Sequence, residues 1–110
     1  MTVNDLIKTA KFTPITLGDG EREIDGVYIG DLLSWVMGKA QADNVWITIM
    51  SNVNVLAVAS LSDVACVVLA EDVTLEAEVV KTAEEKGINI LSTPLSAYDA
   101  AITLRELIGE

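Results

Sequence analysis

Polar side chains and glycines gather directly after four apolar runs of this 110-residue chain. Gly26, Tyr28, Gly30 and Asp31 frame the triplet 27–29, and Thr48, Ser51, Asn52 and Asn54 lie in and after the run 45–49. Glu71 and Asp72 follow residues 65–69, while Thr93 and Ser96 follow residues 88–91. Such groups offer backbone N–H, hydroxyl, amide and carboxylate contacts to a polar ligand. None of them sets a nucleophile beside a base.

The chain contains no histidine. That excludes Ser-His-Asp and Cys-His relays, a histidine general base and histidine-ligated zinc. A single cysteine, Cys66, excludes CxxC metal sites, and its apolar neighbours assign it to the core as a small hydrophobe. The pattern GxxxxGK[ST] is absent, and Gly18, Gly20 and Gly26 lack GxGxxG spacing. What remains is carboxylate chemistry, with Asp31, Glu71 and Asp72 around a divalent cation, but no regular ligand spacing joins them. The expectation is therefore a non-enzymatic module with no catalytic residue, metal or cofactor. Its candidate ligand-binding residues are Gly26, Tyr28, Gly30, Asp31, Thr48, Ser51, Asn52, Asn54, Thr93 and Ser96. A ligand-free interaction adaptor and a carboxylate-dependent enzyme are the alternatives. The same short polar residues also cap helices.

The elements that must position these groups alternate. Thr2 caps a first helix carrying Val3, Leu6 and Ile7, Pro14 interrupts an extended segment 12–17, and Gly18-Asp19-Gly20 is a turn. Strands are expected at 27–29, 45–49, 65–69 and 88–91. Asp31 is placed to cap a helix 32–37 closed by Gly38. A helix over 53–61 is apolar all round and should be buried, and Thr74 opens a fourth that Gly87 ends. Ser96 and Asp99 begin the last. Short apolar strands joined by helices imply parallel pairing with right-handed crossovers. The reading is α/β: one domain over 1–110, a mainly parallel sheet with helices packed on its faces. Strand order stays open, and ligands in such sheets bind beyond the carboxyl ends of the strands.

Half of the residues are apolar, enough for one core, and seventeen acidic against seven basic residues give a net charge of −10. Such a field repels nucleic acid and anionic membranes, so neither is expected as a partner. The start lacks the features of a secretion signal, which points to the cytoplasm. Arg22 is expected to pair with Glu21, Glu23 or Asp25 at the surface. Leu32, Leu33, Trp35, Val36 and Met37 cover roughly 200° of a helix at 100° per residue, about twice what one core requires. Either the helix is sandwiched within the monomer, or Leu32, Trp35, Val36 and Met37 form a homodimer interface.

The order EREIDGVYIGDLLSWVMGKA, then DNVWITIMSNVNVLAVASLSDVACVVLAED, then EEKGINILSTPLSAYDAAITL resembles the DRTGG domain from its first strand to its last helix. That family carries an acidic-Arg-x-x-x-Gly segment leading into a strand and an Asp-Leu-Leu helix. Here it reads Glu21-Arg22-Glu23-Ile24-Asp25-Gly26, with Glu21 for the aspartate, and Asp25 and Val27 for the threonine and second glycine. The resemblance implies a fold like the N-terminal domain of HPr kinase/phosphorylase and a regulatory or ligand-binding role, as in phosphate acetyltransferases and CBS-containing, nucleotide-regulated pyrophosphatases. Short members similar to this chain are encoded beside iron-only hydrogenase and serine-kinase-like anti-sigma genes in anaerobes. A nucleotide or other small ligand and a redox or signalling protein are the partners so implied.

Overall fold

A computed structural model describes residues 1–109. The Thr2 hydroxyl accepts from the Asp5 N–H at 3.4 Å and the Asp5 carboxylate accepts from the Thr2 N–H at 2.8 Å, a reciprocal cap that starts α1 (Val3–Lys8). There follow β1 (Thr13–Thr16), β2 (Val27–Ile29), α2 (Leu33–Lys39), β3 (Val45–Thr48), α3 (Asn54–Ser62), β4 (Cys66–Leu69), α4 (Ala77–Lys86), β5 (Ile90–Ser92) and α5 (Ala97–Ile108). The sheet order is β1-β5-β4-β3-β2, with β2 to β5 parallel and β1 antiparallel to β5. Pro14 sits in β1 beside a register shift, which an edge strand tolerates because it needs no outward ladder bonds.

β3 and β4 are buried at every position, as central strands covered on both faces must be. Alternation divides their side chains. Val45, Ile47, Cys66 and Val68 meet Val3 and Leu6 of α1 and Ala100 and Leu104 of α5. Trp46, Val67 and Leu69 meet Val36 of α2, Val55, Leu56 and Ala59 of α3, and Ala83 of α4. The crossovers β2-α2-β3-α3-β4-α4-β5 all step the same way, so their helices share one face, and α5 then turns onto the other face to lie over β3 and β2.

Three helices differ from the sequence reading. α2 begins one residue later than expected and includes Gly38, and its N-cap is Leu32, with no side-chain cap; Asp31 is engaged elsewhere. α3 is buried on one face only, leaving Val53 and Leu61 exposed at its ends. α4 starts at Ala77 rather than after Thr74, because the chain leaves β4 through Glu71 and Asp72, both with positive φ (59° and 57°), and stays non-helical through Glu76.

Candidate functional site

At the amino ends of the strands, Arg22 is the hub. Its Nε donates to Asp43 Oδ1 at 2.9 Å, and its Nη2 lies 2.8 Å from Asp43 Oδ1 and 3.0 Å from Asp63 Oδ1 and donates to the Asp63 carbonyl at 2.7 Å. The expected pairing with Glu21, Glu23 or Asp25 is replaced by these remote partners. Asp43 stands two residues before β3 and Asp63 three before β4, at the same end of two adjacent parallel strands, and the Asp43 N–H donates to the Asp63 carbonyl at 2.9 Å. Partial burial alone would lower the guanidinium pKa, but hydrogen bonds to Asp43 and then Asp63 raise it above its usual value. Gly26, with φ of +81°, belongs to this end as well. Its carbonyl accepts from the Val45 N–H at 3.0 Å, and the Asn44 amide donates to the Asp25 carbonyl at 2.6 Å.

The exit of β2 is tied to the exit of β3. The Asp31 carboxylate accepts from the Thr48 hydroxyl at 2.7 Å and the Ile49 N–H at 3.0 Å, and the buried Trp46 indole donates to the Gly30 carbonyl at 2.9 Å. A side chain at Gly30 would press on the half-buried Tyr28 ring, 3.0 Å from the ideal Cβ position. The β4 and β5 exits are sewn together: Glu71 N–H donates to the Leu95 carbonyl at 2.9 Å, and Asp72 N–H to the Thr93 carbonyl at 3.0 Å. Thr93 is buried and its hydroxyl accepts from the Leu95 N–H, while Ser96 caps α5 by accepting from the Asp99 N–H at 3.1 Å. Because the parallel strands follow chain order without reversal, they open no switch-point crevice.

The expected ten residues therefore divide. Gly26 lies at the opposite end of β2 from Asp31, and half-buried Tyr28 packs against the core shared with Val36 and Trp46; Gly30, Asp31, Thr48, Thr93 and Ser96 are committed to internal bonds. Ser51 and Asn52 line a cavity of about 460 Å³ at the carboxyl rim, together with Val53, Glu76, Glu78, Val79 and Thr82. Asn54 is exposed in the first turn of α3, its N–H donating to Asn52 Oδ1 at 2.9 Å. Only the placement of α4 beside the β3–α3 turn brings Glu76, Glu78, Val79 and Thr82 to this cavity. Of the four apolar residues expected at an interface, Val36 is fully buried in the core; Leu32, Trp35 and Met37 are exposed. Around the helix, Trp35 and Leu32 fall on one flank of the buried Val36–Leu33 seam and Met37 on the other, at roughly 100° per residue. Burial pushes the Cys66 thiol up to about 12, the charge of Arg22 acting in the opposite direction. Among the described residues no three side chains of metal-ligating type gather at one place, and no helix is long and apolar enough to cross a membrane.

A small α/β domain, mostly parallel, with its motif arginine tying strand starts together and a cavity lined by Ser51, Asn52, Glu76 and Glu78 at the opposite rim, is the class that fold and site define. The chain belongs to the DRTGG domain family, whose model matches residues 16–107. None of the curated proteins matches it. Among solved structures it is similar to the CBS and DRTGG domains of the regulatory region of Clostridium perfringens pyrophosphatase, complexed with the activator diadenosine tetraphosphate: TM-score 0.70, 12% identity, 91% of this chain and 44% of that chain covered. This chain thus spans less than half of that one, and the likeness is one of fold.

Proposed function

We propose that the chain is a non-enzymatic regulatory module that binds a small polar ligand at the carboxyl rim, between the β3–α3 turn and α4. The observation that carries this reading is the cavity of about 460 Å³ holding Ser51 and Asn52, a size in the range of small-molecule sites, about 300–1,000 Å³. Asn52 spends its Oδ1 on the α3 turn, and its Nδ2 makes no hydrogen bond among the described residues. Glu76 and Glu78 add acceptors, and no Lys or Arg lines the cavity. Because the solved neighbour was complexed with a dinucleotide activator, nucleotides are the first ligands to test; here a nucleoside would face the acidic wall and its phosphates would point to solvent.

Titration calorimetry of the full chain with adenosine, ATP and diadenosine tetraphosphate tests the reading. Binding that weakens about fivefold in Asn52→Ala, the equivalent of one hydrogen bond of about 1 kcal/mol, supports it. Absence of heat across the panel leaves the ligand-free adaptor, and turnover abolished by Asp31→Asn would establish the carboxylate enzyme. The reading includes a cytoplasmic module that self-associates through the Leu32–Trp35 flank of α2 and reports to a hydrogenase-type or serine-kinase-like signalling partner.

A further inference from the structure

The two edges of the sheet are built differently. β1 carries Pro14 and a register shift, both of which obstruct the addition of a further strand. β2, Val27-Tyr28-Ile29, has neither, nor any charged residue. The Val45 N–H bonds the Gly26 carbonyl and the Gly30 N–H bonds the Ile47 carbonyl. In a parallel ladder the bonding direction alternates, so Tyr28 also bonds inward, and the N–H and C=O of Val27 and Ile29 point out of the sheet.

Directly beside this open edge is a groove of about 420 Å³, walled by Val27 and Ile29 on the strand and Ala101, Arg105 and Ile108 on α5. Ile29 is 49% exposed, large for a strand residue, and faces into it. An edge strand with outward peptide groups next to a helix-walled groove that is apolar except for Arg105 is the arrangement that captures an extended peptide by strand addition: main-chain bonds hold it, and alternate side chains enter the groove.

Charge decides between the occupants. Two copies pairing antiparallel through β2, with Val27 opposite Ile29, would bring the Asp25 end of each strand towards the Asp31 end of the other; both aspartates flank the strand rather than continue it, since Gly26 turns the chain at φ +81° and the Asp25 N–H bonds inward to the Asp43 carbonyl at 2.9 Å. Asp25 and Asp31 are both exposed, so the contact would bring four carboxylates into like-charge neighbourhoods in a chain already at −10. The same two aspartates, one at each end of the strand, complement basic residues. We infer that β2 and α5 form a docking site for an extended segment of another protein, apolar at alternate positions and flanked by Lys or Arg.

The probes are two synthetic heptapeptides, Lys-Val-Thr-Val-Thr-Val-Lys and its glutamate-flanked counterpart, titrated into the full-length chain labelled for NMR. The lysine-flanked peptide is expected to slow amide exchange at Val27 and Ile29, to bind at least about tenfold more tightly than the glutamate-flanked one, and to weaken with salt. Ile29→Pro removes one outward N–H where an edge strand accommodates proline, and Ala101→Glu puts a carboxylate in the groove; each variant that keeps the wild-type circular dichroism should lose at least about tenfold in affinity. Protection mapping to other residues, equal binding by both peptides, undiminished binding by folded Ala101→Glu, or no binding overturns the proposal. So does a β2-paired dimer that Ile29→Pro dissociates.

Discussion

The Asp31 carboxylate accepts a hydrogen bond from the buried Thr48 hydroxyl at 2.7 Å, joining the ends of two neighbouring parallel strands. The residue that sequence places as a helix cap is thus a strand-to-strand tie. Its second bond, from the Ile49 N–H at 3.0 Å, fixes the first residue beyond β3 and so the path into the β3–α3 turn that lines the cavity.

Removing the tie leaves a buried hydroxyl without its acceptor. Asp31→Ala should destabilise the chain by about 1–3 kcal/mol, the cost of an unsatisfied buried group, and Asp31→Asn, which keeps an acceptor oxygen, by less. Urea unfolding of both variants is the measurement. An Asp31→Ala protein as stable as wild type would show that the tie carries no weight.

Arg22 makes the corresponding tie at the other end of the sheet. Arg22→Gln should cost about 1–2 kcal/mol, since charge-assisted bonds to Asp43 and Asp63 are lost but both carboxylates are partly exposed and screened. The loss should shrink when Asp43→Asn is already present, because the two residues interact directly. A purely additive double mutant would refute the pairing. Ligand binding at the opposite rim should be unaffected by either change.

Cys66 gives the stability a dependence on alkaline pH. In the folded protein the buried thiol stays protonated to about pH 12, whereas an ordinary thiol ionises near 9.0. Between those values the folded state binds more protons than the unfolded state, so stability falls as pH rises; below pH 9.0 the contribution is complete. The slope from this group is at most about 1.4 kcal/mol per pH unit. Cys66→Ala loses core volume at every pH but should lack this slope, so its deficit relative to wild type narrows from about pH 8 to about pH 10.5. A deficit that stays constant over that range would contradict the burial of the thiol.

The alternation of β-branched runs with amphipathic segments made the α/β class and the four parallel strands legible in the sequence, along with the helix caps at Thr2 and Ser96 and the stop at Gly87. Strand order was not, because nothing local to Val45 or Cys66 states which neighbour lies on which side. The partners of Arg22 were hidden for the same reason: Asp43 and Asp63 are remote in sequence and meet it only once β3 and β4 are in register. One signal was present, a lone aspartate just before each of two central strands. Asp31 misled because a carboxylate before a helix satisfies the capping rule equally well, and only the position of Thr48 across the ladder shows where its oxygen goes. Glu76 and Val79 of the cavity were invisible because a helix face reads as solvated or buried, and a residue at the mouth of a cavity is partly both.

Whether α2 carries a two-fold contact turns on Trp35. Its ring is 59% exposed in the single chain, with the Lys39 ammonium 5.0 Å from the centroid. Glutamate at this position gives up a cation–π contact of about 0.5–1 kcal/mol but gains an i,i+4 pairing with Lys39, so Trp35→Glu should stay folded. In a homodimer, Trp35 and Leu32 on each chain would leave water, at roughly 1.5–3 kcal/mol for each side chain fully buried. Opposing this is repulsion between two acidic chains, which salt screens over about 8–10 Å. Association should therefore tighten as salt rises. Light scattering is expected to report a dimer for wild type at micromolar concentration and a folded monomer for Trp35→Glu, whereas Met37→Glu, on the opposite flank of the Val36 seam, should remain dimeric. A wild type monomeric at every salt concentration, or a Trp35→Glu protein that still dimerises, would remove this flank as the contact.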